Sequence, residues 1–185
     1  RIKNSFPKDV ESVVRHYKND FKIVKTNINT RYFKGEHLHR EGGPAIEWKS
    51  GMKCWYKDGK MHREAGPAKE SAAGNSWYKE GKLHREDGPA FESEIKKEWW
   101  LNGRRHREDG PAHIMFDMFG YPSYYWYNHG KFHRNDGPAV INEHSGLFGS
   151  GGTKEYWINN EQMSEQDYWN HPLVMEYKLK KIMEL

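Results

Sequence analysis

The sequence is poor in aliphatic residues. Leu, Ile, Val and Phe together account for 30 of the 185 residues, and this share of about 16% falls in the range of disordered chains. Aromatic residues nevertheless make up 15% of the chain, whereas disordered chains contain few of them. The composition therefore excludes an ordinary aliphatic core without requiring disorder, and it favours thin packing built on aromatic side chains.

Other absences exclude whole classes of protein. Cys54 is the single cysteine, which excludes an internal disulfide and a thiolate metal cluster and favours a reducing compartment. No apolar run approaches the roughly 20 residues of a transmembrane helix. The sequence also lacks the motifs of serine hydrolases, zinc proteases, phosphate-binding loops and zinc deaminases. We therefore predict neither an enzyme nor a cofactor-binding protein.

A tandem repeat dominates what is present. Five copies of the motif HREDGPA, with variations, begin at His39, His62, His84, His106 and His133. An aromatic pair precedes each histidine by seven and six residues: Tyr32-Phe33, Trp55-Tyr56, Trp77-Tyr78, Trp99-Trp100 and Trp126-Tyr127. A sixth pair, Tyr156-Trp157, begins a degenerate copy. Internal repetition of this kind predicts a quasi-one-dimensional fold in which each unit contacts its neighbours.

Each copy contains the signals of a β-hairpin. Asp58-Gly59 and Asn102-Gly103 are strong two-residue turn signals, because both turn positions require positive φ. Residues 53–57 predict the strand before one such turn, and residues 45–48 predict a strand after Gly-Pro-Ala, where proline starts the strand. Each copy therefore supplies about two antiparallel strands, and the two members of an aromatic pair are expected on opposite faces.

The whole chain is predicted to be mainly β, an elongated, twisted, single-layer antiparallel sheet of tandem hairpins with short helical caps at both ends. Residues 1–30 are predicted to form a basic helix and strand cap, with a short helix running from Pro7 through Val13 and Val14. Residues 31–163 hold the repeats. Residues 164–185 form the C-terminal cap, in which Ser164 and Asp167 resemble a capping arrangement and Pro172 opens a second helix.

The hairpin around Asn102-Gly103, with its aromatic strand before and HREDGPA after, resembles the MORN repeat, and is closer still to the MORN-variant repeats of giant DNA viruses and large phages. The resemblance covers about residues 31–164, although HREDGP departs from the standard MORN glycine pattern. It implies a β-hairpin scaffold that binds a protein partner, with self-association and anionic lipids as further associations. It also implies a viral structural, assembly or host-factor-neutralising role, in the virion or the host cytoplasm.

Two rows of charged or ionisable residues run through the copies: His39, His62, His84, His106 and His133, and Arg40, Arg63, Arg85, Arg107 and Arg134. Equivalent histidines should lie about 9–10 Å apart, two strands away, which is too far to share one zinc ion. Each arginine is followed closely by carboxylates, so pairing is favoured over phosphate contacts. We predict structural roles for both rows and no metal site.

The repeat is interrupted by two insertions between copies, at residues 116–122 and 145–152. Insertions in repeat proteins often map to a binding side. Their apolar residues are the predicted partner-binding set: Phe116, Met118, Phe119, Tyr121, Leu147 and Phe148. Two readings stay open, a partner-binding edge and a cap folded onto the C-terminal helices. A partly exposed aromatic ladder is expected to contribute to partner binding.

The charge is uneven along the chain. Residues 1–34 hold nine Lys or Arg and three Asp or Glu, a net charge of +6, so the remainder has a net charge of −2 within a total of +4. The alternative function is therefore binding to an anionic surface, lipid or nucleic acid, through Lys18, Lys22, Lys25 and Arg31.

Overall fold

The computed structural model describes residues 13–16, 20–145 and 150–185. The protein is mainly β, made of consecutive antiparallel hairpins that end in a helical C-terminal segment, and this confirms the predicted fold class. The chain divides into two compact units, Arg1–Lys82 and Leu83–Leu185. The boundary therefore lies inside the repeat region, within a strand of the third hairpin.

The first unit is an antiparallel sheet with short hairpins. Its strands are β1 Val13–His16, β2 Phe21–Lys25, β3 Asn29–Lys34, β4 His37–Leu38, β5 Ile46–Trp48, β6 Lys53–Cys54, β7 Tyr56–Lys57, β8 Lys60–Met61, β9 Lys69–Ser71, β10 Gly74–Ser76 and β11 Tyr78–Lys79. The sheet order in this unit is β1-β2-β3-β5-β6-β9-β10. β4 pairs with β3, and β7 pairs with β8 in a separate hairpin.

β12, Lys82–Leu83, spans the boundary, and the second unit repeats the arrangement. Its strands are β13 Phe91–Glu92, β14 Lys96–Glu98, β15 Trp100–Leu101, β16 Arg104–Arg105, β17 His113–Phe116, β18 Pro122–Tyr125, β19 Tyr127–Asn128, β20 Lys131–Phe132, β21 Val140–Ser145, β22 Ser150–Ile158 and β23 Glu161–Met163. The sheet order is β13-β14-β17-β18-β21-β22-β23. β15 with β16, and β19 with β20, form separate hairpins.

The hairpin turns have the geometry that the dipeptides predict. Asp58 and Gly59 have φ of 48° and 80°, and Asn102 and Gly103 have φ of 51° and 79°. Positive φ at both central residues is the requirement of a type I′ turn, whose twist matches that of the flanking strands. The same pattern holds at Glu80, at His129 and at Asn159. Asn and His adopt positive φ more readily than most residues, so the fold imposes this geometry most clearly on Glu80.

The strand predicted over residues 53–57 is interrupted at Trp55, the first member of its aromatic pair. Trp55 N–H donates to the carbonyl of Ala68, and the Trp55 carbonyl accepts from the N–H of His62. Both bonds go to the HREDGPA segment of the same copy. The chain therefore leaves the sheet at the first aromatic residue and enters the separate hairpin with the second.

The alanine of each motif is the innermost residue of its copy. Ala45, Ala68, Ala90, Ala112 and Ala139 all have 0% exposed surface. The carbonyls of four of them accept the N–H of the first aromatic residue, at 2.8 Å each: Ala45, Ala68, Ala112 and Ala139. A small residue is needed here because two backbone segments approach closely.

The prediction of an N-terminal helix is wrong for the last residues of that helix. Val13, Val14, Arg15 and His16 form β1, which pairs antiparallel with β2 through Val14 opposite Val24. Adjacent β-branched valines favour an extended strand over a helix, and the open side of β2 supplies the partner. The rest of the predicted helix lies outside the described residues.

The C-terminal segment is helical, as predicted. Helix α1, Glu165–Trp169, is capped by Ser164, whose side chain accepts the N–H of Asp167. Helix α2, Pro172–Met183, begins with proline in its first turn. The second unit's core contains Tyr156, Ile158, Tyr168 and Val174. The helices therefore cover the last hairpin, β22 and β23.

Candidate functional site

The motif histidines join each copy to the next. In every copy the imidazole Nδ1 accepts a backbone N–H from the turn of the following hairpin. The donors are Asp58, Glu80, Asn102, His129 and Asn159, at 3.1, 3.3, 3.2, 3.3 and 3.3 Å from His39, His62, His84, His106 and His133. The contacts are intramolecular, and they occupy one of the two ring nitrogens through which histidine can bind a metal ion.

In the third, fourth and fifth copies these bonds indicate the tautomer of the ring, whereas Nδ1 of His39 and Nδ1 of His62 also lie 2.9 Å from a carboxylate oxygen, of Asp58 and of Glu80. A nitrogen that accepts an N–H carries no proton, so the neutral ring bears its hydrogen on Nε2. In the second and third copies Nε2 faces the glutamate two residues later: His62 Nε2 lies 2.8 Å from Glu64, and His84 Nε2 lies 3.2 Å from Glu86. In His84, His106 and His133, protonation of Nδ1 would remove the acceptor and break the connection between copies.

Acid sensitivity is the first prediction from this arrangement. Burial, with the nearby charge of His129, lowers the pKa of His106, and burial together with His171 lowers the pKa of His133. A lowered folded-state pKa stabilises the fold fully above the ordinary value of about 6.5, and this contribution is lost as pH falls through the folded value. We expect the free energy of unfolding, measured by urea titration, to decrease from pH 7.5 to pH 5.

The matched variant carries His106→Asn and His133→Asn, because an asparagine oxygen can accept the same N–H without titrating in this range. Its stability should depend less steeply on pH, with each pKa unit removed corresponding to about 1.4 kcal/mol. Identical pH profiles for the two proteins would contradict the assignment.

The motif arginines are enclosed by their own copy. The guanidinium groups of Arg40, Arg63, Arg107 and Arg134 stack on Tyr32, Trp55, Trp99 and Trp126, with 3.8, 3.8, 4.1 and 3.9 Å from Cζ to the ring centroid. On the other side lies the motif glycine: a Cβ placed at Gly88 would be 3.0 Å from Cζ of Arg85, and one at Gly110 would be 3.2 Å from Arg107. This contact explains why Gly precedes Pro in every copy.

The same guanidinium groups also donate to oxygen atoms within the copy. Arg63 Nη1 lies 2.9 Å from the carbonyl of Pro67 and 2.6 Å from Glu70. In later copies the carboxylate changes, and Nε of Arg107 donates to Asp109 at 2.8 Å. The arginine row is therefore satisfied internally, and within the described residues no group of three or more His, Cys, Asp or Glu is placed to hold a metal ion.

The first insertion forms an ordered loop between β17 and β18. The Asp117 carboxylate accepts the N–H of Phe119 at 2.8 Å and that of Tyr121 at 2.9 Å. His144 of β21 stacks on Tyr121, with 4.5 Å between ring centroids, and its Nδ1 lies 3.3 Å from Asp117. Two independent restraints therefore hold the loop in one shape.

The loop presents apolar side chains to solvent. Met118 is 90% exposed and Phe119 is 61% exposed, and Tyr121, Met115 and Ile95 are exposed beside them. Ile95 is adjacent because its carbonyl accepts the N–H of Phe116. We name these residues the loop-edge patch: Ile95, Met115, Met118, Phe119 and Tyr121. Their exposure shows that the C-terminal helices do not cover this loop.

The structure places only part of the predicted partner-binding set. Phe116 is half-buried at the end of β17, and Met118, Phe119 and Tyr121 lie on the loop. Leu147 and Phe148 lie outside the described residues. β21 runs antiparallel to β18, so it ends at Ser145 on the same edge as the first insertion.

Sequence reasoning missed four residues of this edge: Ile95, Met115, Asp117 and His144. Asp117 was detectable, because an aspartate that opens a Gly-containing loop commonly accepts its backbone N–H groups. His144 had no such signal, since its contact with Tyr121 depends on the β18–β21 register. Ile95 reaches the patch only through the pairing of β14 with β17.

The four residues of the alternative anion site do not form one group. Lys22 is opposite Phe33, and Arg31 is opposite Val24, so Lys22 and Arg31 share a face of the sheet. Lys25 lies on the other face, because side chains alternate along β2. Lys22 also lies 3.7 Å from Glu36, and Lys18 lies outside the described residues.

One copy carries a polar cluster where the others are mostly apolar or small. Arg105 Nη2 donates to Glu98 at 2.7 Å, and His113 Nε2 lies 4.0 Å from the same carboxylate oxygen. Glu98 is buried, which acts to raise its pKa, but the hydrogen bond and charge of Arg105 with the charge of Lys96 lower it overall. The carboxylate is therefore held ionised inside the fold.

No family model and no curated protein matches the chain. Among the described residues, no helix has the length and apolar character to cross a membrane.

Proposed function

We propose that the protein is a non-enzymatic β-repeat scaffold that binds a protein partner through the loop-edge patch. The observation that carries the proposal is the exposure of Met118 and Phe119 on a loop held by Asp117 and His144. An apolar loop that is already ordered loses little conformational entropy on binding. Neighbouring copies make the same connection with short turns, so the fold itself does not require the loop.

The resemblance to MORN-variant repeats supports the same proposal. The repeats supply a rigid framework, and the insertion gives one edge a distinct shape. A viral structural, assembly or host-factor-neutralising role in the virion or host cytoplasm is the setting that this resemblance implies. The half-buried aromatic ladder would extend the contact surface.

The test replaces Met118 and Phe119 with serine. Since burying one such side chain contributes about 1.5–3 kcal/mol, we expect partner affinity to fall at least tenfold. The thermal midpoint should be almost unchanged, because both side chains are exposed. The partner would first be isolated by photo-crosslinking from position 118 and then titrated against purified variants.

Leu179→Ser with Ile182→Ser is the matched control, since both residues are exposed on α2. This control should bind the partner like the unmodified protein. Equal affinity for the loop variant, or an equal loss in the α2 control, would contradict the proposal.

A further inference from the structure

Two open grooves run between successive motif turns of the second unit, on the side opposite the loop-edge patch. The first, of about 610 Å³, lies between the third and fourth motifs, over Trp99 and Leu101. The second, of about 840 Å³, lies between the fourth and fifth motifs, and Tyr177 of α2 contributes to its lining. We name them the motif grooves. Their volumes fall in the range of ligand-binding clefts.

Along the motif grooves, the negatively charged side chains are mostly exposed and the positively charged side chains are mostly buried. The side chains of Glu86, Asp87, Glu108 and Asp109 are 76%, 83%, 91% and 82% exposed, whereas those of Arg85, Arg107 and Arg134 are 22%, 24% and 20% exposed. With Asp136, five carboxylates face three guanidinium groups. The guanidinium of Arg107 is enclosed by Trp99 and Gly110, so a ligand meets the carboxylates first.

Two of these carboxylates, those of Asp87 and Asp109, are held in the ionised form by arginine. The hydrogen bond from Arg85 lowers the pKa of Asp87, and that from Arg107 lowers the pKa of Asp109. Asp87 and Asp109 therefore keep their negative charge at the rims of the motif grooves over the physiological range.

The fold does not require the second acidic residue of the HREDGPA motif, which is Asp87 in the third copy. Gly42 and Ala65 occupy the position of Asp87 in the first two copies. There the arginine bonds instead to a glutamate seven residues later, as Arg63 does to Glu70. The aspartates are thus a property of the later copies, whose residues line the motif grooves.

The spacing of the grooves suggests the shape of a ligand. Equivalent positions in adjacent copies are two strands apart, about 9.6 Å. A polyproline II segment has three residues per turn and rises about 9.3 Å over three residues. Side chains at every third position therefore lie on one side of such a segment, at almost the spacing of the grooves.

We propose that the motif grooves bind an extended, Lys- or Arg-rich segment of a partner protein that has a basic residue at every third position. The alkyl stem of each basic side chain packs on the groove floor, and its charged end reaches the rim carboxylates. This surface is separate from the loop-edge patch and does not depend on it.

The probe is a fluorescein-labelled peptide with four Lys-Pro-Pro triplets. The control peptide has the same composition with its four lysines contiguous. We expect the spaced peptide to bind at least fivefold more tightly in fluorescence anisotropy titrations, and its affinity to fall with added salt. Equal binding of the two peptides, or no binding of either, would overturn the proposal.

The protein variant combines Asp87→Ala and Asp109→Ala, which reproduces the residue that Ala65 already provides in the second copy. We expect its affinity for the spaced peptide to fall at least tenfold, with an unchanged circular dichroism spectrum. Glu94→Ala with Glu143→Ala removes the same charge from exposed positions away from the grooves and should leave binding intact. If both variants bind the spaced peptide equally weakly, the effect comes from the net charge of the protein, and the proposed site is rejected.

A failure of the motif grooves to bind the peptide can be distinguished from a failure of the loop-edge patch to bind a partner. The Met118→Ser, Phe119→Ser variant should bind the spaced peptide normally, because the loop-edge patch is remote from the motif grooves. Loss of peptide binding in that variant would contradict the separation of the two surfaces.

Discussion

Replacing Tyr168 with alanine is expected to lower the free energy of unfolding by about 3–5 kcal/mol, the range for truncating a fully buried aromatic residue. Tyr168 has 0% exposed surface and lies 5.0 Å from Tyr156 and 4.9 Å from Trp169, between ring centroids. Its hydroxyl donates to the carbonyl of Arg134 at 2.7 Å and accepts the N–H of Gly137 at 2.9 Å. One side chain therefore attaches α1 to the fifth motif.

Tyr168→Phe separates packing from hydrogen bonding. The ring stays, but the N–H of buried Gly137 and the carbonyl of Arg134 lose their partner. Leaving such groups unsatisfied costs about 1–3 kcal/mol, so this variant should be intermediate in stability. Burial is the main effect that raises the pKa of Tyr168 to about 12, as expected for a hydroxyl enclosed by protein.

Urea unfolding followed by tryptophan fluorescence measures both changes. Met175→Ala, on the exposed side of α2, is the control and should shift stability by no more than about 0.5 kcal/mol. If Tyr168→Ala behaves like this control, α1 does not contribute to the stability of the second unit.

The hairpins were predictable because their signals are local. Asp58-Gly59 and Asn102-Gly103 define type I′ turns by residue type alone, and the aromatic pairs mark the strands. The turn at Glu80 shows the limit of this reasoning: glutamate rarely adopts positive φ, and repetition of the neighbouring copies, rather than propensity, predicts the turn. At the N-terminus, Val13 and Val14 fit a helical pattern, but they form a strand because the open edge of β2 is available for pairing.

The candidate sites were less predictable because their contacts are not local. The histidine and arginine rows could be read from the repeat, but the partner of His39 is a backbone N–H in the next turn. The first insertion marked the edge that carries the loop-edge patch, whereas His144 joins it only through strand register. Similarly, the sequence of the motif contains the acidic residues that form the rim of the motif grooves. Only the structure, however, shows that the guanidinium groups lie below the carboxylates.

The Glu98–Arg105 pair should show opposite effects for single and double replacement. Glu98→Ser leaves the partly buried Arg105 guanidinium without its hydrogen-bonded carboxylate, and we expect the free energy of unfolding to fall by about 2–3 kcal/mol. Arg105→Leu alone leaves a buried carboxylate near His113 and should cost a similar amount. Both single variants remove one half of a charge-assisted hydrogen bond.

The double variant Glu98→Ser, Arg105→Leu reproduces Ser76 and Leu83, which occupy the same positions in the third copy. Replacing a buried ion pair by residues without charge is often neutral or stabilising, so its stability should return to within about 1 kcal/mol of the unmodified protein. The coupling energy from this double-mutant cycle, measured by urea unfolding, should exceed about 1.5 kcal/mol. Additive losses would show that the pair does not act as a unit, whereas recovery would mark the cluster as dispensable for folding, since its neighbour in the repeat folds without it.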